Sequence, residues 1–141
     1  MIRYLIDTSA LWRVHRDKAL RAAWTEVITN GVVGSCAPQR AEFKRSARNR
    51  AEYDLMTEMF EELYPELPVP KSAWRWIEST QYRLAGAGAH RALSVVDLLV
   101  SDTAAHHGAT VLHDDHDFAA AAAAVTDLRE RNIHRVPDQS D

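Results

Sequence analysis

Among the 20 acidic residues of this 141-residue chain, Asp7, Glu42, Asp97 and Asp115 are set apart by position. Asp7 closes the short apolar run Ile2–Ile6 and Asp115 follows a second such run, Thr110–His113. In open α/β sheets, sites gather outside the carboxyl ends of strands. Glu42 falls in the first turns of the helix after the second strand. Asp97 sits inside the apolar frame Val95-Val96-Asp97-Leu98-Leu99-Val100, where an ionised carboxylate needs a partner or a metal. Taken singly, each acid has a local explanation: Asp7, Asp97 and Asp115 as helix caps, Glu42 as a solvated residue paired with Arg45. Taken together they imply one site, and such a site cannot stay bare. Two carboxylates ~5 Å apart repel by roughly 3 kcal/mol at an effective dielectric of ~20. A hard divalent cation with oxygen-only ligands, Mg²⁺ or Mn²⁺, resolves the repulsion. Such an ion activates water and clamps phosphoryl oxygens, the chemistry of phosphodiester hydrolysis.

Other constellations are weaker. His106, His107, His113 and His116 could suggest zinc, but the first two are adjacent on a helix and splay by roughly 100°, and the others belong to different elements. A phospho-aspartyl mechanism needs a second acid two residues after Asp7, where Ser9 stands. Neither a G-x-S-x-G elbow nor a G-x-x-x-x-G-K phosphate loop occurs.

The elements that must position the four acids alternate between short apolar runs and longer helical patterns, an α/β arrangement with a parallel sheet. Thr8 or Ser9 is expected to cap a helix from about Ala10. A second helix covers Lys18–Asn30 and stops at Gly31, before a strand over Val32–Ala37. The stretch 39–64 is helical with a break near Asn49, Ala47, Ala51, Leu55, Met59 and Leu63 forming one stripe. Pro65, Pro68 and Pro70 allow only a short or edge strand at Leu67–Val69. Helices follow over Ser72–Leu84 and Ser94–His107, then a strand at Thr110–His113. A helix from about Ala119 and a strand at Ile133–Val136 complete the pattern, with a polar tail from about 137. Trp74, Trp76 and Tyr82 are expected in the core or an interface. Leu55, Met56, Met59, Phe60 and Leu63 are more apolar than one helix needs against a sheet, which suggests a partner or dimer groove.

Composition bounds the rest. Seventeen basic residues against 20 acidic ones give a net charge of -3, without the basic surplus usual in a nucleic-acid binder. A single cysteine, Cys36, excludes an internal disulfide framework and fits a reducing, cytoplasmic setting. No apolar run approaches the ~20 residues of a membrane span, and none reads as an export signal. Arg40 and Lys44 flank Glu42, and with Arg48 follow an i, i+4, i+8 pattern. They form either a phosphate-contacting wall or a solvated helix face.

Leu5-Ile6-Asp7-Thr8-Ser9-Ala10-Leu11, the acidic residue in Ala41-Glu42-Phe43, and the stretch from Val96-Asp97-Leu98-Leu99-Val100 to His113-Asp114-Asp115-His116-Asp117-Phe118 resemble the PIN-domain nucleases. Within these the chain is similar to VapC-type toxins of type II toxin-antitoxin pairs, over nearly its whole length. The resemblance implies a single domain over 1–141, a three-layer α/β/α sandwich around a central parallel sheet of four to five strands. It implies a Mg²⁺- or Mn²⁺-dependent endoribonuclease that leaves a 3′-hydroxyl and a 5′-phosphate. By position, Asp7 and Asp97 match the acids most directly tied to metal, Glu42 and Asp115 complete the quartet, Ser9 matches a small hydroxyl near the metal, and Asp117 a further acid. An RNA substrate, a cognate VapB-type antitoxin and a homodimer are implied as well. A catalytically silent PIN-like module that binds RNA or protein is the alternative. The chain departs from the family pattern at His113, where many relatives have Thr or Ser, and at Asp114, an added carboxylate. It departs also at Asp102, about 140° around the helix from Asp97 and so outside the site.

Overall fold

The computed structural model describes residues 1–138. Its elements are β1 (Tyr4–Ile6), α1 (Thr8–Arg16), α2 (Lys18–Thr29), β2 (Val33–Gly34), α3 (Ala37–Lys44), α4 (Arg50–Leu63), α5 (Ala73–Gly86), α6 (Val95–His106), β3 (Thr110–His113), α7 (His116–Ala124) and β4 (Glu130–Asn132). The strands form one parallel sheet in the order β2-β1-β3-β4. β1 is fully buried on both faces, and alternate residues serve different layers: Tyr4 and Ile6 pack with Leu11, Trp24 and Phe60, whereas Leu5 packs with Ile77, Leu98, Val111 and Phe118. Helices on both faces of a parallel sheet give the expected three layers.

The chain leaves β1 toward β2 on one side, while β3 pairs with β1 on the other. The carboxyl ends of β1 and β3 therefore flank the point where strand order reverses, the usual place for a site in such sheets. The ladder runs up to the candidate residues: Asp7 N–H donates to Leu112 O at 2.8 Å.

Several local expectations change. α1 begins at Thr8, and its cap is Asp7 rather than Thr8 or Ser9. The break near Asn49 is present, with Asn49 capping α4 through Glu52 N–H at 2.9 Å. It removes Ala47 from the apolar stripe, and Leu55 is left 65% exposed. No strand forms at Leu67–Val69. Instead Ser35 N–H donates to Pro65 O and Leu67 N–H to Ser35 O, a single bridge beside β2 that the proline-rich segment cannot extend. The last strand is Glu130–Asn132, three residues before the expected Ile133–Val136. Ile133 is still a core residue, and its N–H continues the ladder to His113 O at 2.8 Å. Trp74 and Tyr82 are exposed, not core. Trp76 is partly buried and donates from Nε1 to Asp127 Oδ2. Of the polar tail, residues 139–141 lie outside the described residues.

Candidate metal centre

Asp7 leaves the end of β1 in extended conformation and caps α1. Its Oδ2 accepts from Ser9 N–H (3.1 Å) and Ser9 Oγ–H (2.7 Å). Oδ1 is buried and has no hydrogen-bond partner. Burial foremost, with the nearby charges of Asp97 and Glu42, raises the Asp7 pKa to about 7, against the lowering effect of the Ser9 hydrogen bonds.

Asp97 occupies the first turn of α6 in a capping box: Ser94 Oγ accepts from Asp97 N–H, and Asp97 Oδ2 accepts from Ser94 N–H at 3.0 Å. Its pKa is also raised, first by burial and then, against the Ser94 bonds, by the charges of Glu42 and Asp115. Asp115 caps α7, with Oδ1 accepting from Asp117 N–H at 3.0 Å. Asp7 thus feels the charges of Asp97 and Glu42, and Asp97 those of Glu42 and Asp115, which links the four acids named from sequence in a chain. The three aspartates share one device, in which one carboxylate oxygen holds a helix N-terminus and the other stays out of the cap.

Oxygen donors that repel one another, one of them buried without a partner, fit a hard divalent cation. Among the described residues, the group whose ligand atoms lie within 4.8 Å of one another is Asp115, His116 and Asp117, so Asp115 shares its neighbourhood with Asp117. Ser9 does more than a nearby hydroxyl needs to: its Oγ accepts from Asp114 N–H at 2.9 Å while donating to Asp7, so it ties the β3–α7 turn to the end of β1.

Arg40 and Lys44 are engaged elsewhere. Arg40 donates to Ser35 Oγ, Tyr64 O and Glu66 Oε1, and Lys44 lies 4.8 Å over the Tyr53 ring. Arg48 follows the end of α3 and pairs with Glu52, so the basic stripe is broken. Both flanking cations therefore hold the α3–α4 side together, the first as a clamp on the 64–66 crossing. His106 and His107 contact each other, and His107 Nε2 meets Pro68 O; the four histidines do not converge. Asp102, as expected, opens away from the acids, beside Trp76 and Asp127.

The sequence reading passed over Arg13, His134 and Glu130. Arg13 and His134 both pair with Asp114, and Glu130 pairs with His113 at 2.6 Å. Arg13 and Glu130 find partners 101 and 17 residues away, pairings that need the folded register. Ser94 was passed over too, although its S-x-x-D spacing to Asp97 is a signal that could have found it.

The PIN domain family matches residues 4–124. The chain belongs to the PIN-domain family. It is 56% identical over 124 residues to Ribonuclease VapC6 of Mycobacterium tuberculosis, covering 88% of this chain and 93% of that protein. To Ribonuclease VapC2 of the same species it is 36% identical over 137 residues, covering 96% of each. In fold it is similar to a chain in the structure of VapBC2 from Rickettsia felis bound to a promoter DNA fragment, with a TM-score of 0.72, 15% identity and coverage of 94% and 98%. A chain of FitAcB from Neisseria gonorrhoeae gives 0.70 at 20% identity, with coverage of 94% and 99%.

Proposed function

We propose that this PIN domain is the toxin of a VapBC-type pair, an endoribonuclease whose centre is Asp7, Glu42, Asp97 and Asp115. The observation that carries the reading is the electrostatic linkage of these carboxylates, Asp7 to Asp97 and Glu42 and Asp97 to Glu42 and Asp115, with Asp7 Oδ1 buried and unpartnered. The 56% identical ribonuclease relative supports the reaction class.

Asp7, Glu42, Asp97 and Asp115 would hold Mg²⁺ or Mn²⁺, which supplies an acidified water and charge neutralisation at the scissile phosphate. The chain's own part is positioning. Ser9 fixes Asp7 through Oδ2 and leaves Oδ1 without a hydrogen bond. Ser94 and the α7 amide of Asp117 hold Asp97 and Asp115 in the same manner. Asp117, outside the four metal-holding acids, or solvent would accept the proton lost by the attacking water.

The partner surface is formed by α1, α2 and α4. An apolar groove between α1, α2 and α4 is lined by Leu11, Val14, Ile28, Met59 and Leu63, and continues past Trp12, Leu55 and Met56. It suits the apolar face of an antitoxin helix, and the exposed Leu55 suits either that partner or a second copy of the chain. No described helix is long and apolar enough to cross a membrane, and a cytoplasmic setting follows from the assignment.

Purified protein should cleave RNA only with Mg²⁺ or Mn²⁺, lose cleavage in EDTA, and leave 5′-phosphate ends. Asp7→Asn should lower cleavage at least about 100-fold while circular dichroism stays native. Metal-dependent cleavage that survives Asp7→Asn would refute the assignment.

A further inference from the structure

His113 ends β3 with its ring fully buried, stacked on Phe118 at 5.1 Å. Both ring nitrogens are engaged. Asp115 N–H donates to Nδ1 at 3.2 Å, and Nε2 meets Glu130 Oε2 at 2.6 Å. A backbone N–H can only donate, so Nδ1 carries no proton and the ring proton sits on Nε2, where a carboxylate receives it. Glu130 thus selects the one tautomer able to hold the Asp115 amide. The arrangement depends on the β3–β4 register, which sets Val111 opposite Glu130 and His113 opposite Asn132, and on Ile133 N–H anchoring His113 O.

We propose that His113, oriented by Glu130, is the positioning residue for Asp115. It fixes the backbone from which that carboxylate reaches the metal centre, as Ser9 does for the same turn through Asp114 N–H. The proposal rests on Asp115 being a metal-holding residue. It gives His113 and the edge strand β4 a part in the reaction, although neither faces the substrate. Groups that orient the residues of a metal centre typically change affinity or activity 10- to 100-fold when removed.

Two isosteric substitutions separate positioning from packing. In His113→Asn the side-chain oxygen stands near the place of Nδ1 and can accept from Asp115 N–H. In His113→Gln the amide stands near Nε2 and leaves that N–H alone. Mn²⁺ affinity by isothermal titration, RNA cleavage and melting temperature are measured for both, with Glu130→Gln and Asp115→Asn alongside. The expected result is Mn²⁺ affinity and kcat within about 3-fold of wild type for His113→Asn, about 10-fold or more lower for His113→Gln, and KM for RNA unchanged in both. Glu130→Gln, which keeps an acceptor but not the charge, should fall between them. Equal losses in His113→Asn and His113→Gln that follow melting temperature would overturn the proposal, as would wild-type Mn²⁺ affinity in His113→Gln while Asp115→Asn loses it. Wild-type affinity in Asp115→Asn would instead overturn the assignment of Asp115 beneath it.

Discussion

Asp7 combines two roles that oppose each other. As a cap it stabilises α1, yet as a buried carboxylate beside Asp97 and Glu42 it disfavours its own ionisation. Its pKa is about 7 in the fold against 3.8 for an unperturbed aspartate. Between those values the folded state keeps a proton that the unfolded chain has lost. The associated stability is complete below about pH 4 and declines as pH rises through about 7. Metal-free protein should therefore melt at a lower temperature at pH 8 than at pH 5. Asp7→Asn should flatten that difference, and Mg²⁺ or Mn²⁺ should restore wild-type stability at pH 8 by binding only the folded state. Thermal melts in EDTA at the two pH values check this, and a melting difference left intact in Asp7→Asn contradicts it. Ser9 offers a second test at this scale. Ser9→Ala removes the hydroxyl shared by Asp7 Oδ2 and Asp114 N–H and keeps the backbone cap. It should cost about 1 kcal/mol of stability and about 10-fold in cleavage, with Ser9→Thr recovering both.

Elements carry these residues, and the segment 64–67 shows how closely they fit. Gly34 of β2 has no room for a side chain: a Cβ there would stand 2.9 Å from Ile2 Cγ2 and 3.0 Å from Pro65 O. Ile2 can shift, but the Pro65 carbonyl is held by Ser35 N–H. Gly34→Ala should destabilise the protein by about 1–3 kcal/mol, measured by urea denaturation. Arg40 clamps the same crossing from α3, so Arg40→Ala should lower stability and leave the salt dependence of RNA affinity unchanged. A flattened salt slope would return it to the RNA path. That distinction was not legible in the chain. The i, i+4 spacing of Arg40 and Lys44 was visible, but their partners Tyr64, Glu66 and Tyr53 come from beyond the α3–α4 break. β4 was misplaced for a related reason. Its residues Glu130, Arg131 and Asn132 have no apolar alternation, and edge pairing to β3 rather than patterning makes them a strand. β1, β3 and the strand-end positions of Asp7 and Asp115 were legible because apolar runs leading into Asp state both the strand and its carboxyl end. Asp115's dependence on His113 and Glu130 was not, since it arises only from the register.

At the scale of the whole molecule, the net charge of -3 conceals an uneven distribution. Setting aside Asp7, Glu42, Asp97 and Asp115 leaves 17 basic residues against 16 acidic ones, a remainder of +1. The four acids of the metal-free protein thus form a negative cluster at the candidate centre, whose repulsion opposes binding of a polyanion there. A bound divalent cation offsets half of the four carboxylate charges and presents a cation to the phosphate. RNA affinity should accordingly depend on metal even before any bond is cut. Ca²⁺, a hard cation of the same charge, serves as a probe of binding alone wherever it fails to support cleavage. Fluorescence anisotropy with a short single-stranded RNA should show weak binding in EDTA and at least about 10-fold tighter binding with Ca²⁺. The variant carrying Asp7→Asn, Glu42→Gln, Asp97→Asn and Asp115→Asn isolates the electrostatic cause. It should bind in EDTA at least as tightly as the Ca²⁺-loaded wild type and show no response to Ca²⁺. Weak binding by this variant would mean that metal-to-phosphate contact, and not removal of repulsion, brings the RNA to the site.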